Sequence, residues 1–268
     1  MIIVNCDNCL GLMIGNSRLH WALFTGATLE AAWDTDHLPA LVVEQLIQSW
    51  QAGEWKTELF PDTQINAIQI PNSTPIPLYV ASVVPVQTQL WQTYPYINVI
   101  TLDQLPLHGL YPTLGIDRAL AVLGAGENLG FPVLVIDGGT ALTFTGVDAQ
   151  KRLVGGAILP GLRLQIQSLT DRTAALPKIE LYSEMPPRWA LNTVEAIQSG
   201  VSYTVLAGVK DFIESWWQEF PESKIAITGG DRTLLLVYLQ AKFPNIAAKV
   251  IADPHLIFWG MQSLTINN

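Results

Sequence analysis

Two stretches of the chain share one design, and that design limits what the chain can fold into. "MIGNSRLHWALFTG", from Met13 to Gly26, and "IDGGTALTFTGVD", from Ile136 to Asp148, each run from an apolar strand through a small polar turn into an alternating second strand. No short period recurs around them, so a solenoid is excluded and two related halves are expected. Glycine lets the backbone of such a turn approach an anion closely, and turn amides can cradle nucleotide phosphates. A plain type I′ or II′ hairpin uses the same residues, and the two strings alone leave both readings open.

The rest of the chain alternates strands and helices. Strands are expected at 12–17, 19–25 and 28–33. A helix is expected over Pro39–Trp50, with Leu41, Val42, Leu46 and Ile47 on its inner face. A strand in "LYVASVVP", a helix at Val86–Thr93 and a strand at Ile97–Leu102 complete the first half. In the second half a helix opens at Asp117, strands occupy the region from Pro132 to Gly161, and helices follow near 161–175 and 192–216. The strand "KIAITGG", a helix over 231–242, the strand "KVIAD" and a closing helix end the pattern. This is an α/β chain with largely parallel or mixed sheets. We expect two similar domains, 1–115 with the first phosphate-type hairpin and 116–268 with the second, and a nucleotide held in a cleft between them.

Composition narrows the partners. Charged residues are 14% of the 268, apolar residues 49%, and there are nine Trp, so a partner subunit is expected to cover some of that surface. Net charge is −9 with no basic run, which argues against nucleic acid. No apolar run approaches the roughly 18 residues of a membrane span. No basic residue precedes Arg18, and Asn5, Asp7 and Asn8 interrupt any signal-peptide core, so a cytoplasmic chain is expected. Cys6 and Cys9 form a lone C-x-x-C, while His20, His37, His108 and His255 lack ligand spacing, so the cysteines read as part of a mobile leader.

Four strings could carry chemistry. In "DGGTALT", Asp137 ends an apolar strand, where a carboxylate needs a cation or donors, and Thr140 can donate to a phosphate. In "GIDR", Asp117 stands where a helix N-cap is expected, and is either that cap or a general base. Arg118 beside it has the planar fork that holds a carboxylate. The glycine clusters "VGGAILPG" (154–161) and "ITGGD" (227–231) end strands, the usual place for nucleotide contacts in open α/β sheets. The pair Trp216-Trp217 lies on a helix and suits core packing or a subunit contact.

Taken together and in order, these strings resemble the type III pantothenate kinases, members of the superfamily of acetate and sugar kinases, actin and chaperone ATPases. The family's D-x-G-N-T/S corresponds to "MIGNS", its G-x-D-R to "GIDR" and its D-x-G-T-A-x-T to "DGGTALT". Its G-G-x-I-x-P-G, N-T-x-x-A/S-I-x-x-G and T-G-G-D correspond to "GGAILPG", "NTVEAIQSG" and "TGGD". The likeness runs from Met13 to about Gly260 and weakens in the leader and the 51–77 insertion.

The resemblance implies an actin-like, ribonuclease H-like fold and ATP-dependent phosphorylation of pantothenate, the first step of coenzyme A biosynthesis. It makes Asp117 the proton acceptor, with Tyr111, Gly115, Ile116, Arg118 and Thr193 in the pantothenate pocket. Met13, Ile14, Gly15, Asn16, Ser17, Arg18, Leu19, His20 and Thr140 would hold ATP. Asp137 would bind a monovalent cation, potassium or ammonium, and magnesium would come with ATP. A homodimer is implied, with the 192–216 helix at or near the contact. One departure stands out: Met13 occupies the place of the acid that organises magnesium near the phosphates, which bears on metal binding and turnover. A non-catalytic regulatory homologue of the same fold, or a kinase for another small hydroxyl substrate, is the alternative reading.

Overall fold

The computed structural model describes residues 8–55, 75–170 and 179–266. Cys6, most of the 51–77 insertion and the end of the helix expected at 161–175 lie outside the described residues. Two five-stranded sheets carry the fold. In the first, β1 (Asn8–Ile14), β2 (Leu19–Thr25) and β3 (Thr28–Thr35) form an antiparallel meander. Beyond β1, β4 (Leu78–Ser82) and β5 (Ile97–Val99) add in parallel, giving the order β3-β2-β1-β4-β5.

The second sheet repeats the plan. β6 (Val133–Gly138), β7 (Ala141–Val147) and β8 (Leu153–Pro160) are its meander, and β9 (Lys224–Thr228) and β10 (Val250–Ala252) extend it in parallel beyond β6. Its order is β10-β9-β6-β7-β8. The self-similarity of the two hairpin strings is therefore a similarity of whole sheets. The helices are α1 (Ala40–Gln51), α2 (Pro85–Trp91), α3 (Ile116–Leu129), α4 (Leu162–Thr170), α5 (Thr193–Glu219), α6 (Arg232–Lys242), α7 (Pro244–Ala247) and α8 (Leu256–Ile266). α2 links β4 to β5, and α6 with α7 links β9 to β10, as parallel neighbours require a crossover. This is the expected α/β, actin-like class. No helix among the described residues is long and apolar enough to cross a membrane.

β1 begins earlier than the sequence indicates, and this corrects the reading of Cys9. It is a buried strand residue, not part of a leader. The strand can start at a polar residue because the Thr25 hydroxyl donates to Asn8 Oδ1 at 3.0 Å. Along β1, Leu10, Leu12 and Ile14 enter one hydrophobic core, while Cys9, Gly11 and Met13 alternate to the other face. That other face takes α8: a side chain on Gly11 would meet Met261 Sδ at 3.3 Å, and the rings of Phe24 and Trp259 lie 6.4 Å apart.

Much of the tryptophan content is spent inside the chain. Trp21 stacks on Trp33 at 6.1 Å and meets Trp91 and Trp50 edge-on at 5.3 and 6.5 Å. Trp50 also stacks on Trp55 at 5.5 Å. These offset and edge-on geometries suit the ring quadrupoles and fill the space under the first sheet. α1 turns Val43, Leu46, Ile47 and Trp50 into this core. Leu41, expected on the inner face, is 65% exposed, because the stripe with helical spacing starts two residues later. Trp216 on α5 is likewise a core residue of the second sheet, its ring 4.3 Å from Phe220.

The chain forms two compact units. The first takes the described residues up to Pro106, Tyr111–Gly124 and those from Ile257 onward; the second takes Leu107–Leu110 and Ala125–Leu256. The sequence reading places one cut after 115, whereas α8 returns to the first unit because its apolar side chains cover the Gly11 face of β1.

One tyrosine in the first core makes the fold sensitive to alkali. Tyr94 is buried, its hydroxyl donates to Ile76 O at 2.7 Å, and burial pushes its pKa up from 10.0 to about 12. Above pH 10 the unfolded chain loses this proton while the folded chain keeps it, so stability is full below that pH and falls through the interval up to about 12. Tyr94→Phe is expected to cost about 1 kcal/mol at pH 8 through the lost hydrogen bond. Urea unfolding should show the variant losing less stability than wild type between pH 9.5 and 11.5; parallel losses would mean that Tyr94 is not the group responsible.

Candidate functional site

The first hairpin is closed by its own backbone. Gly15 N–H donates to Arg18 O at 2.9 Å, so this amide is already used within the turn. Asn16, Ser17 and Arg18 are exposed at its tip. The imidazole of His37 lies with Nε2 3.0 Å from Gly15 O, which can only accept, so Nε2 carries the proton there. His20 Nδ1 and Asp34 Oδ1 are 2.7 Å apart across β2 and β3. Ile14 and Leu19 are fully buried in the tryptophan core and can offer a ligand only their backbone. Met13 is 1% exposed, in register between His20 on β2 and Ala81 on β4. The lateral row Met13, His20, Asp34 thus carries its carboxylate two strands away from Met13.

The second group forms around the start of α3. Leu114 N–H donates to Tyr111 O at 2.9 Å, turning the chain, and Ala119 N–H to Gly115 O at 3.1 Å begins the helix. Asp117 is therefore inside the first helical turn and is not the N-cap that its position in the string indicates. Its Oδ1 accepts from Arg118 N–H at 2.8 Å. A β-carbon on residue 115 would lie 2.3 Å from that same oxygen, so glycine there is what allows the carboxylate its position. Arg118 is buried and donates from Nη1 to the Tyr111 hydroxyl at 3.1 Å, while Tyr111 itself is 42% exposed. Tyr111, Gly115, Ile116, Asp117 and Arg118 are thus brought together in one turn of the first unit.

The third group, in the second unit, is the hairpin between β6 and β7. Gly139 N–H donates to Ala141 O at 3.0 Å, closing the turn. Gly161, just before α4, donates its N–H to Thr140 O at 2.9 Å, and Asp231, just before α6, donates its N–H to Gly138 O at 2.8 Å. The approach is so close that a β-carbon on Gly161 would stand 2.0 Å from Gly139 O. One on Gly229, where φ is +86°, would stand 2.3 Å from Asp137 Oδ1. Gly155 and Gly156 lie at the other end of β8, opposite Gly146 and Thr145, but Gly138 and Gly139, Gly161 and Gly229, from three glycine clusters noted in the second half of the sequence, meet at one place. Asp137 is half-buried there, with Thr143 of β7 and Thr228 of β9 as its ladder neighbours, and Thr140 is exposed at the tip.

Thr193 is the exposed first residue of α5, in the second unit. Its neighbour Asn192 caps the helix, Oδ1 accepting from Glu195 N–H at 2.9 Å. Two residues join the second hairpin to which the sequence analysis gives no role: Arg163, and Asp231 at the end of the "TGGD" string. Asp231 is 5% exposed, and its Oδ1 accepts from Arg163 Nε at 3.1 Å. The available signal is the acid directly after "TGG" and the base two residues after "LPG". Among the described residues no group of three or more His, Cys, Asp or Glu is gathered to hold a metal.

Two solved structures share this architecture along nearly its whole length. A protein described as a Baf family transcriptional activator, from Campylobacter jejuni, superposes with a TM-score of 0.61 at 18% identity, covering 97% of this chain and 98% of its own. A protein described as a 2-dehydro-3-deoxygalactonokinase, from Sinorhizobium meliloti, superposes with a TM-score of 0.54 at 10% identity, covering 96% and 95%. At such identities the likeness is one of fold. Sequence carries the family. The type III pantothenate kinase of Nostoc sp. is 56% identical over 263 residues, 95% of this chain and 93% of that one. The type III pantothenate kinase of Synechocystis sp. is 46% identical over 258 residues, 95% and 89%. The family model described as type III pantothenate kinase matches residues 9–215, a span that takes in the first hairpin, the Asp117 turn, the second hairpin and the start of α5, and the chain belongs to that family.

Proposed function

We propose that this chain is a kinase that transfers the γ-phosphoryl group of ATP to the primary hydroxyl of pantothenate, the first step of coenzyme A biosynthesis. The observation that carries the reading is Asp117. Its carboxylate is held through one oxygen by the Arg118 N–H, in a position from which a side chain at 115 would displace it, in a chain of this family. A carboxylate fixed in this way has its second oxygen for a substrate proton. As the pantothenate oxygen bonds to the γ-phosphorus, Asp117 takes the hydroxyl proton, and the bond from that phosphorus to the β–γ bridging oxygen breaks to release ADP. Tyr111, Gly115, Ile116, Arg118 and Thr193 are read as the pantothenate pocket. Residues 13–20 and Thr140 are read as the ATP phosphate site, with Ile14 and Leu19 acting through their backbone.

Asp137 is read as the site of a monovalent cation, potassium or ammonium. The donor chemistry fits: the carboxylate, the Gly138 carbonyl and the in-register hydroxyls of Thr143 and Thr228 are all oxygen. Such an ion would supply charge neutralisation beside the phosphates. Magnesium is read as arriving with ATP, held largely by phosphate oxygens and water. A cytoplasmic homodimer completes the reading, with the start of α5 at or near the contact. Trp189 and Leu191, 87% and 101% exposed just before that helix, are large apolar side chains that a second copy would cover.

Asp117→Asn is expected to leave the fold intact, since the Asn oxygen can still accept from Arg118 N–H, and to lower kcat by about a hundredfold or more. Coupled measurement of ADP release with pantothenate, with and without potassium, tests it; wild-type turnover in the variant would reduce Asp117 to a structural role. Met13→Asp returns a carboxylate to the first hairpin at a buried place, and without a cation this costs several kcal/mol. The variant is expected to melt lower than wild type alone, to gain more from ATP with magnesium, and to show a lower KM for ATP. A folded variant without any ligand-dependent gain would remove the first hairpin from the phosphate site. Light scattering at micromolar concentration should give the mass of two chains, and a monomer would end the dimer reading.

A further inference from the structure

The second hairpin lacks one donor that a phosphate turn is expected to offer. Gly139 N–H is consumed by Ala141 O inside the turn. If phosphate is bound here, side-chain donors must add to the remaining amides, and the turn itself carries the exposed Thr140. The surroundings supply a cation. Arg163 stands in the first turn of α4, two residues after Gly161, whose N–H is fastened to Thr140 O. Its guanidinium is fastened by Nε to Asp231, whose own N–H is fastened to Gly138 O. The backbone just before Arg163 and the residue that holds its guanidinium are therefore both fastened to the same hairpin, one at Thr140 O and the other, through Asp231 N–H, at Gly138 O.

We infer that Arg163, held in place by Asp231, is a phosphate-binding residue for ATP at the second hairpin, and that Asp231 is its positioning residue. The inference rests on the reading of the Thr140 turn as an ATP phosphate site. Three properties of the pair carry it. Asp231 is buried, its side chain 7% exposed, whereas that of Arg163 is 70% exposed. A buried carboxylate anchors an outward guanidinium, which is the reverse of a surface ion pair. Only Nε is engaged among the described residues, so the edge formed by the two terminal nitrogens faces outward, in the planar fork that matches two phosphate oxygens. The anchor also removes rotamer freedom before the ligand arrives, so less order is lost on binding. Asp231 stands at the N-cap of α6 yet its side chain makes no capping bond, so capping does not account for an arginine reaching across 68 positions of sequence.

Steady-state kinetics and calorimetric binding of ATP, ADP and AMP to the full chain test this. Arg163→Ala is expected to raise KM for ATP by about tenfold or more and to weaken ATP and ADP binding far more than AMP binding. KM for pantothenate should stay within about twofold. Arg163→Lys should recover part of the loss, because charge returns without the fork. Asp231→Asn should give a smaller loss in the same direction, and the Arg163→Ala/Asp231→Asn double variant should be no worse than Arg163→Ala alone. A merely structural pair would shift the melting temperature of the free protein and leave KM for ATP unchanged. Thr140→Val separates the two levels of the argument. If it weakens ATP binding while Arg163→Ala does not, the inference fails and the hairpin reading stands. If Thr140→Val leaves ATP binding unchanged, the hairpin reading fails, and this inference falls with it.

Discussion

The second half of the chain is organised by a backbone contact too close for any side chain. Around the turn from Asp137 to Thr140, a β-carbon added to Gly161 or Gly229 would stand only 2.0 to 2.4 Å from carbonyl or carboxylate oxygens. Removing that atom lets two separate segments hydrogen-bond to the same hairpin, through Gly161 N–H and Asp231 N–H. The starts of α4 and α6 are thereby fixed on one turn. The groups read as the phosphate side of this unit hang on that contact: the half-buried Asp137, the exposed Thr140, and the Arg163–Asp231 pair.

The first unit solves the same problem by different means. Its sheet has the same strand order, yet its centre is a mass of tryptophan rings that fix β1, β2 and α1 by dispersion and aromatic geometry. The hairpin at Gly15 is closed by its own backbone and presents exposed polar residues above this core. Asp117 depends on a smaller version of the glycine device, with residue 115 left bare beneath its carboxylate. Two halves of one topology have thus diverged at their turns. The second keeps an acid at the strand end, and the first holds Met13 there while Asp34 lies two strands away beside His20.

Several errors in reading the chain share one cause. Leu41 belongs to the right helix but points outward, since periodicity defines a stripe without saying where it starts. Cys9 reads as leader because the lone C-x-x-C lacks further ligands and the first strand is expected to begin at 12, but Asn8 is carried into the sheet by a bond from Thr25, seventeen residues away. Asp117 looked like a cap and sits one step inside the helix, because the helix takes its first bond from a backbone carbonyl, that of Gly115. For Cys9 and Asp117 a partner distant in sequence or a backbone group decided the outcome, and for Leu41 the phase of the helix did; local pattern sees none of these.

By itself the sequence determined the class of the fold, the two related halves, almost every strand and helix, and the family, because hydrophobic periodicity, turn chemistry and ordered motifs are local properties. It also marked the hairpins, the "GIDR" turn and the glycine clusters as the places where chemistry could occur. Only the tertiary structure decided that the clusters at 138–139, 161 and 229 are a single place, that Ile14 and Leu19 have only backbone to offer, and that nine tryptophans largely serve an interior. Only it joined Arg163 to Asp231. The physical reason is that close packing and ion pairing depend on distance in space, and a strand order of β10-β9-β6-β7-β8 brings together segments that the chain keeps far apart.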